Sequence, residues 1–254
     1  MTPEGSISFQ ANAIGYAQTM APSLRRVAAE VVRRAALQPR ERVLDIGSGT
    51  GISAGAALGE GRTVMGVDGA AAMLDIARDE VPGATFEVMD FNALAFDDGA
   101  WDVAISSHAL LFADHRVMAL REWRRVVRRG GRLSLSVPGP ADLTPSTIYR
   151  DIYERWGIGA RFDYPTEEEL AGWAEAAGWS EVATAADPEM AIRLPDDEAF
   201  VVWRRTGSRS TATAGFTEEQ HDALTAEMLA VTPREPDGTL RIPFGALYLS
   251  AVNG

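Results

Sequence analysis

The chain has no cysteine and no lysine: all 24 of its basic residues are arginine. Without cysteine there is no disulfide framework, no thiol nucleophile and no thiolate metal site. Without lysine there is no Schiff-base chemistry and no P-loop lysine to reach a phosphate. We read the use of arginine throughout, beside many alanines, as GC-rich coding bias. Long apolar runs are missing too. No window approaches the ~20 apolar residues of a membrane span, and residues 1–10 lack the basic-then-apolar pattern of a secretory signal. The expectation is a soluble cytoplasmic protein with no membrane partner. Positive charge is scarce overall, the net charge being −12, which is the wrong sign for a nucleic acid partner. Three arginine pairs, Arg33-Arg34, Arg124-Arg125 and Arg128-Arg129, are expected on the solvated faces of helices. Histidine occurs three times, and no pair has metal-ligand spacing, so no metal is expected.

What is present alternates regularly. Residues 1–22 read as an irregular leader, followed by a helix over 21–37 with Leu24, Val27, Ala28, Val31 and Val32 at helical spacing. Strands are predicted over 42–46, 63–67, 85–88, 101–106 and 132–137, separated by helices over 52–58, 70–78 and 116–127. This rhythm gives βαβ units, hence a mostly parallel sheet with right-handed crossovers. After Pro138 the rhythm changes, and 139–165, richer in Pro, Gly and aromatics, reads as an insertion. Helices follow over 167–177 and 217–229, opened by the capping boxes Thr166/Glu169 and Thr217/Gln220, with another over 196–204. Weaker strands are predicted over 181–184 and 191–194, and a final one over 240–252. At 254 residues this is one domain overall, carrying a cap.

The most informative stretch is Val43-Leu44-Asp45-Ile46-Gly47-Ser48-Gly49-Thr50-Gly51. A strand feeding a glycine turn feeding a helix places unpaired backbone N–H groups at a nucleotide-like ligand. The dinucleotide fingerprint G-x-G-x-x-G fits poorly, because the third glycine falls at Gly51 and position 52 is Ile. Asp68 ends the second strand, where a carboxylate can accept the ribose hydroxyls of any adenosine. Asp45 ends the first strand and Asp90 follows the third, so three carboxylates are expected at one edge of the sheet. They would repel a pyrophosphate and attract a cationic ligand. Asp102 opens its strand, away from that edge, and reads as structural.

The ordered set VLDIGSGTG (43–51), VMGVDGAAAML (64–74), FEVMDFNALAF (86–96), WDVAISSHALLF (101–112) and REWRRVVRRGGRLSLSVPG (121–139) resembles the class I S-adenosylmethionine (SAM)-dependent methyltransferases. Within them it is similar to the ubiquinone/menaquinone-biosynthesis type, the methyltransferase type 11-like group that acts on small molecules. The resemblance covers roughly the first 140 residues. It implies a Rossmann-like three-layer α/β sandwich with a mostly parallel seven-stranded sheet, the last strand antiparallel, plus a helical and aromatic cap. It also implies SAM as cofactor and S-adenosylhomocysteine as product. Residues 1–40 would be an N-terminal helical segment closing over the cofactor, and 41–138 would form the SAM-binding core. Residues 139–165 and 195–236 would form the cap, with 166–194 and 237–254 completing the sheet.

Carried over by residue, Gly47, Gly49 and Gly51 would flank the methionine portion of SAM, with Asp45 as the acidic residue before the loop. Asp68 would bind the ribose, and Gly69 and Met73 would lie against the adenine. Asp90 would take the adenine amino group, the Phe91 backbone the ring edge, and Ser106 and Ser107 would approach the methionine end. Tyr16 matches an aromatic of the closing N-terminal segment. Methyl transfer needs little beyond in-line placement, so a base is required only if the acceptor loses a proton. His108, His115 and His221 are the candidates, and His108, directly after the two serines, is the first choice. Trp156, Phe162, Phe200 and Phe216 are candidate walls of an apolar pocket. The acceptor, a small molecule, is not specified at its reacting O, N or C atom. Two alternatives stay open: a SAM-binding protein that catalyses a non-methylating rearrangement, and an NAD-dependent dehydrogenase. Oligomeric state is not encoded in any motif.

Overall fold

A computed structural model describes residues 3–159, 163–207 and 210–254. In chain order the helices are α1 (Pro3–Thr19), α2 (Ala21–Ala35), α3 (Ile52–Ala57), α4 (Ala71–Glu80), α5 (Arg116–Val126), α6 (Pro145–Ile148), α7 (Arg150–Arg155), α8 (Glu167–Ala176), α9 (Asp197–Thr206) and α10 (Glu218–Val231). The strands are β1 (Arg42–Ile46), β2 (Thr63–Asp68), β3 (Thr85–Val88), β4 (Trp101–Ser107), β5 (Val127–Pro138), β6 (Ser180–Asp187), β7 (Ala191–Leu194), β8 (Leu240–Pro243) and β9 (Ala246–Val252).

Seven strands form one sheet in the order β3-β2-β1-β4-β5-β9-β6. The first five pair in parallel, and β9 runs antiparallel between β5 and β6. Side chains alternate across this sheet, as the period of two requires. Val43, Val103 and Ile105 face α2, α3 and α4, whereas Leu44, Ile46 and Ala104 face α5 and α8. Both faces are therefore covered, giving three layers, and the strands are apolar on both sides as buried parallel strands must be. Trp123 on α5 is fully buried and donates its Nε1–H to Phe91 O at 3.0 Å. Truncating it to alanine would cost ~3–5 kcal/mol in lost packing. No helix among the described residues is long and apolar enough to cross a membrane.

The strand reversal between β2 and β4 at β1 puts the β1–α3 loop at the topological switch point, where open α/β sheets bind ligands. At the opposite end, Asp102 is paired with Arg128 (2.7 Å) and Arg42 (3.2 Å), an edge clamp remote from that loop. Both capping boxes form: Thr166 and Thr217 each accept from the N3 amide, while Glu169 and Gln220 reach back to the cap N–H.

Three expectations are corrected. Residues 3–19 are helical rather than irregular, with a break at Asn12 (φ −118°). Helix α1 is held by tertiary contacts: Gln10 Oε1 accepts the Ala72 N–H on α4 (3.1 Å), and Gly15 lies so close to α9 that a Cβ there would sit 2.5 Å from Thr206. The final strand is two strands. At Phe244 and Gly245 the backbone N–H groups turn to Met190 O (3.0 Å) and Leu143 O (2.9 Å). The ladder thus leaves the main sheet, and β8 pairs with β7 in a separate antiparallel sheet. Residues Arg128-Arg129 lie in β5 rather than on a helix, because the strand already begins at Val127.

The β7–β8 sheet packs with α6, α7, α9 and α10 around a second core of Tyr149, Ile152, Ile192, Phe200, Leu224 and Ile242. Tyr149 is fully buried, and its hydroxyl is 2.7 Å from Thr232 Oγ1. This cap stands over the carboxyl ends of the parallel strands, with α1 touching both α4 and α9.

Candidate active site

The β1–α3 loop is shaped by its glycines. Gly47, Gly49 and Gly51 have φ of 70°, 55° and 81°, a region other residues enter at a cost. At Gly47 there is also no room: a Cβ would lie 2.2 Å from the Ala109 Cβ. The loop is fastened to β2, because the Gly47 and Ser48 amides donate to Val67 O (2.8 and 3.0 Å) and the Gly49 amide donates to Asp68 Oδ2 (2.9 Å). The other oxygen of Asp68 accepts from the Ala70 N–H at 2.9 Å. Burial raises the Asp68 pKa, against the pull of these backbone N–H groups. A carboxylate has about four lone-pair sites, so acceptor capacity remains.

One cleft opens at this edge of the sheet. Its core wall includes Gly47, Gly49, Asp68, Met73, Ser107 and His108. Helix α1 contributes Phe9 and Tyr16, the α1–α2 junction contributes Met20, and the cap contributes Tyr153, Ile158, Ile192, Trp203, Arg204, Leu224 and Met228. Phe9 joins the two sides, standing edge-on to Tyr16 (5.6 Å) and to Phe112 (5.1 Å). Burial raises the Tyr16 pKa, and the negative charge of Asp68 adds to it, so the phenol stays protonated.

His108 is the unusual side chain here. Its backbone is left-handed (φ 59°), fixed by its N–H donating to Ser136 O at 3.0 Å. The ring is buried, Nδ1 is 3.1 Å from Ser136 Oγ, and Phe244 stands 5.5 Å away between centroids. Nε2 has no hydrogen-bond partner among the described residues. Burial lowers the His108 pKa to about 4, so the imidazole is neutral at physiological pH.

The remaining expected residues fall into two groups. Ser107 lines the cleft, its Oγ 2.8 Å from Ser53 Oγ. Ser106, expected beside it, is turned away: fully buried, it donates to Ile46 O at 2.8 Å. Asp45 also stays beneath the loop rather than in the cleft, fully buried, with Oδ2 accepting from Ser48 Oγ at 2.6 Å and Oδ1 unpartnered. Burial pushes its pKa up to about 7, the Ser48 hydrogen bond opposing. Gly51 faces Ala77, Phe86 and Val81. Asp90 is exposed, with Oδ1 accepting from the Asn92 backbone and side-chain N–H groups (3.0 and 2.8 Å), and the Phe91 ring is packed edge-on to Trp123. Gly69 follows Asp68 at the lip, half-buried.

Of the other histidines, His115 is exposed at the start of α5, and His221 sits on α10 against Arg204. Of the expected apolar walls, Phe200 is fully buried in the cap core, Trp156 and Phe216 stack on each other there, and Phe162 lies outside the described residues. Sequence reasoning missed the walls that do line the cleft, among them Phe9, Met20, Tyr153 and Phe244, and it missed Arg204.

The site fits an adenosyl sulfonium ligand. Asp68, on the cleft wall, makes no ion pair with a described side chain, which leaves its charge to a cationic ligand. The comparisons agree. The family model described as Methyltransferase domain matches residues 44–135. Together with the sheet order, the match makes this part of the chain similar to the class I, SAM-dependent methyltransferase domains. Among particular relatives, the demethylmenaquinone methyltransferase of Beutenbergia cavernae is 36% identical over 96 residues, 38% of this chain and 40% of that protein. The malonyl-[acyl-carrier protein] O-methyltransferase of Methylococcus capsulatus is 34% identical over 152 residues, 56% of this chain and 55% of that one. The chain thus spans at most about half the length of these curated relatives. The solved phosphoethanolamine N-methyltransferase 2 of Haemonchus contortus with S-adenosyl-L-methionine shares the fold (TM-score 0.58, 19% identity, 89% of this chain and 52% of that one). So does the [4+2]-cyclase SpnF (TM-score 0.60, 20% identity, 90% and 80%).

Proposed function

We propose that the protein transfers a methyl group from SAM to a small-molecule acceptor held between the core and the cap, with His108 as the general base. The observation that carries this reading is the neutral, unpartnered Nε2 of His108 in the cleft that also holds the glycine loop and Asp68. Bound SAM supplies a methyl group already activated on a sulfonium. Asp68 and the Gly47–Gly51 loop would hold its ribose and methionine portions, and Tyr16 and Phe9 would cover it. Met73 would lie against the adenine, with Asp90 and the Phe91 backbone at the ring edge.

His108 then has one task. With its proton on Nδ1 and Ser136 Oγ accepting it, Nε2 carries a lone pair with no partner among the described residues, on a side chain that lines the cleft. It would take the acceptor's proton as the acceptor bonds to the methyl group and the methyl–sulfur bond breaks, leaving S-adenosylhomocysteine. The apolar walls exclude water and orient the acceptor, and orientation supplies most of the rate in a reaction of this kind. The enclosing cap supports an acceptor of small-molecule size.

Titration calorimetry with SAM and S-adenosylhomocysteine tests the cofactor, and silence toward both at millimolar concentration would sink the proposal. Transfer of label from methyl-tritiated SAM to a small-molecule library tests the reaction, with His108→Asn expected to lower it ~10²–10⁴-fold. Tight SAM binding without label transfer, while a compound is consumed, would point instead to a non-methylating rearrangement. NAD binding without SAM binding would point to a dehydrogenase.

A further inference from the structure

Helix α9 ends in two adjacent arginines with opposite surroundings. Arg205 lies toward solvent and is paired with Glu218 (2.8 Å) and Asp222 (3.5 Å). Arg204 points inward: it is 7% exposed, lines the cleft, and forms no ion pair among the described residues. Its Nε donates to Thr225 Oγ1 at 2.6 Å, and its Nη2 is 3.0 Å from His221 Nδ1. Both acceptors are uncharged: burial comes first in lowering the His221 pKa and the two arginine charges lower it further, so that imidazole is neutral at physiological pH. Nη1 is buried and has no hydrogen-bond partner among the described residues.

A guanidinium cannot shed its proton to escape burial. Burying it without a counter-charge is costly, and such a cost is retained where a ligand supplies the missing charge. The wall around it, with Tyr153, Trp203, Leu224 and Met228, is mainly apolar. Thr225 is itself fixed, its hydroxyl donating to His221 O at 2.7 Å, so the guanidinium is held in one orientation.

We propose that Arg204 is the subsite for a carboxylate on the acceptor, whose remaining body is apolar. This rests on the methyltransferase reading, because it names the class of molecule that enters the same cleft. The carboxylate is favoured over a phosphate by charge. Two of the five guanidinium N–H donors are engaged, by Thr225 and His221, and Nη1 has no partner among the described residues. No second arginine among the described residues lines the cleft. One unit of negative charge is matched there, whereas a phosphate dianion would keep surplus charge and unpaired oxygens against apolar walls.

The test uses the full chain saturated with S-adenosylhomocysteine. Straight-chain carboxylates of four to twelve carbons and aryl-alkanoates are titrated by calorimetry, each against its primary amide and against the phosphate ester of the matching alcohol. At least one carboxylate is expected to bind tenfold or more tightly than its amide. Arg204→Met should abolish that preference, and Arg204→Lys should restore part of it. All three proteins should bind S-adenosylhomocysteine alike. No acid in the panel outbinding its amide, a preference that survives Arg204→Met, or phosphates outbinding carboxylates would each overturn the proposal. The acid-to-amide comparison on the unaltered chain needs no variant, so a misfolded Arg204→Met leaves it decisive. Failure to bind S-adenosylhomocysteine would instead count against the methyltransferase reading itself.

Discussion

Two buried titratable groups give this protein opposed responses to pH, and replacing His108 by asparagine separates them. Asparagine tolerates the left-handed backbone at this position better than most residues. Burial takes the His108 pKa from an ordinary 6.5 to about 4 in the folded chain. Between those values the unfolded chain holds a proton that the folded chain does not, so stability falls as pH drops from about 6.5 to about 4. The difference of about 2.5 pKa units corresponds to about 3 kcal/mol. Asp45 works the other way. Its pKa rises from 3.8 to about 7 on burial, so its contribution is complete below 3.8 and is lost as pH rises through 7. That shift corresponds to about 4 kcal/mol. In the unaltered protein the two slopes largely cancel across pH 4–7. Urea unfolding of the wild type and His108→Asn, at half-unit steps from pH 8 to pH 4, isolates the histidine, because every other titration is shared. The variant should gain about 3 kcal/mol on the wild type over that range. Asp45→Asn should lose about 4 kcal/mol on the wild type over the same range. A wild-type-to-His108→Asn difference that is flat to within ~0.5 kcal/mol would refute the burial argument.

Three further outcomes follow from geometry. Gly47→Ala forces a Cβ against Ala109 at positive φ and should cost roughly 2–5 kcal/mol, read from the urea midpoint. Asp68→Asn should weaken S-adenosylhomocysteine binding about tenfold or more by calorimetry, since an amide neither attracts a cationic ligand nor accepts on both arms. Gly15→Ala drives a methyl into Thr206 and should lower stability by about 1–3 kcal/mol, with α1 amides gaining hydrogen-exchange rate ahead of β1 amides.

The core was legible because its strands are short apolar runs punctuated by Gly and Pro, and because the two capping boxes are local signals. Helix α1 was not, since Gly5, Gly15 and scattered polar residues dilute any apolar stripe; its fold depends on contacts with α4 and α9. The break between β8 and β9 was hidden by an unbroken alternation through Phe244, although Pro243 and Gly245 bracket that residue. Within the candidate site, the loop glycines, Asp68, Met73, Ser107 and His108 share a local motif and a strand end. Ser106 and Ser107 are chemically alike, and only the pleat decides which one faces the cleft. Nothing in the sequence sets Arg204 apart from its neighbour Arg205; only burial distinguishes them.

The division of the last strand at Phe244 bears on how such a protein can diversify. Residues 246–252 hydrogen-bond between β5 and β6, while 240–243 complete the cap's own sheet with β7. Phe244, one of the two residues between the ladders, packs against the His108 ring. A cap exchanged for that of a relative would therefore bring a foreign neighbour to His108, the proposed base, unless the junction travelled with it. Recombination of caps among proteins of this design should tolerate crossover points within 246–252 and reject those within 240–245, so acceptor choice and proton acceptance would be inherited as one unit.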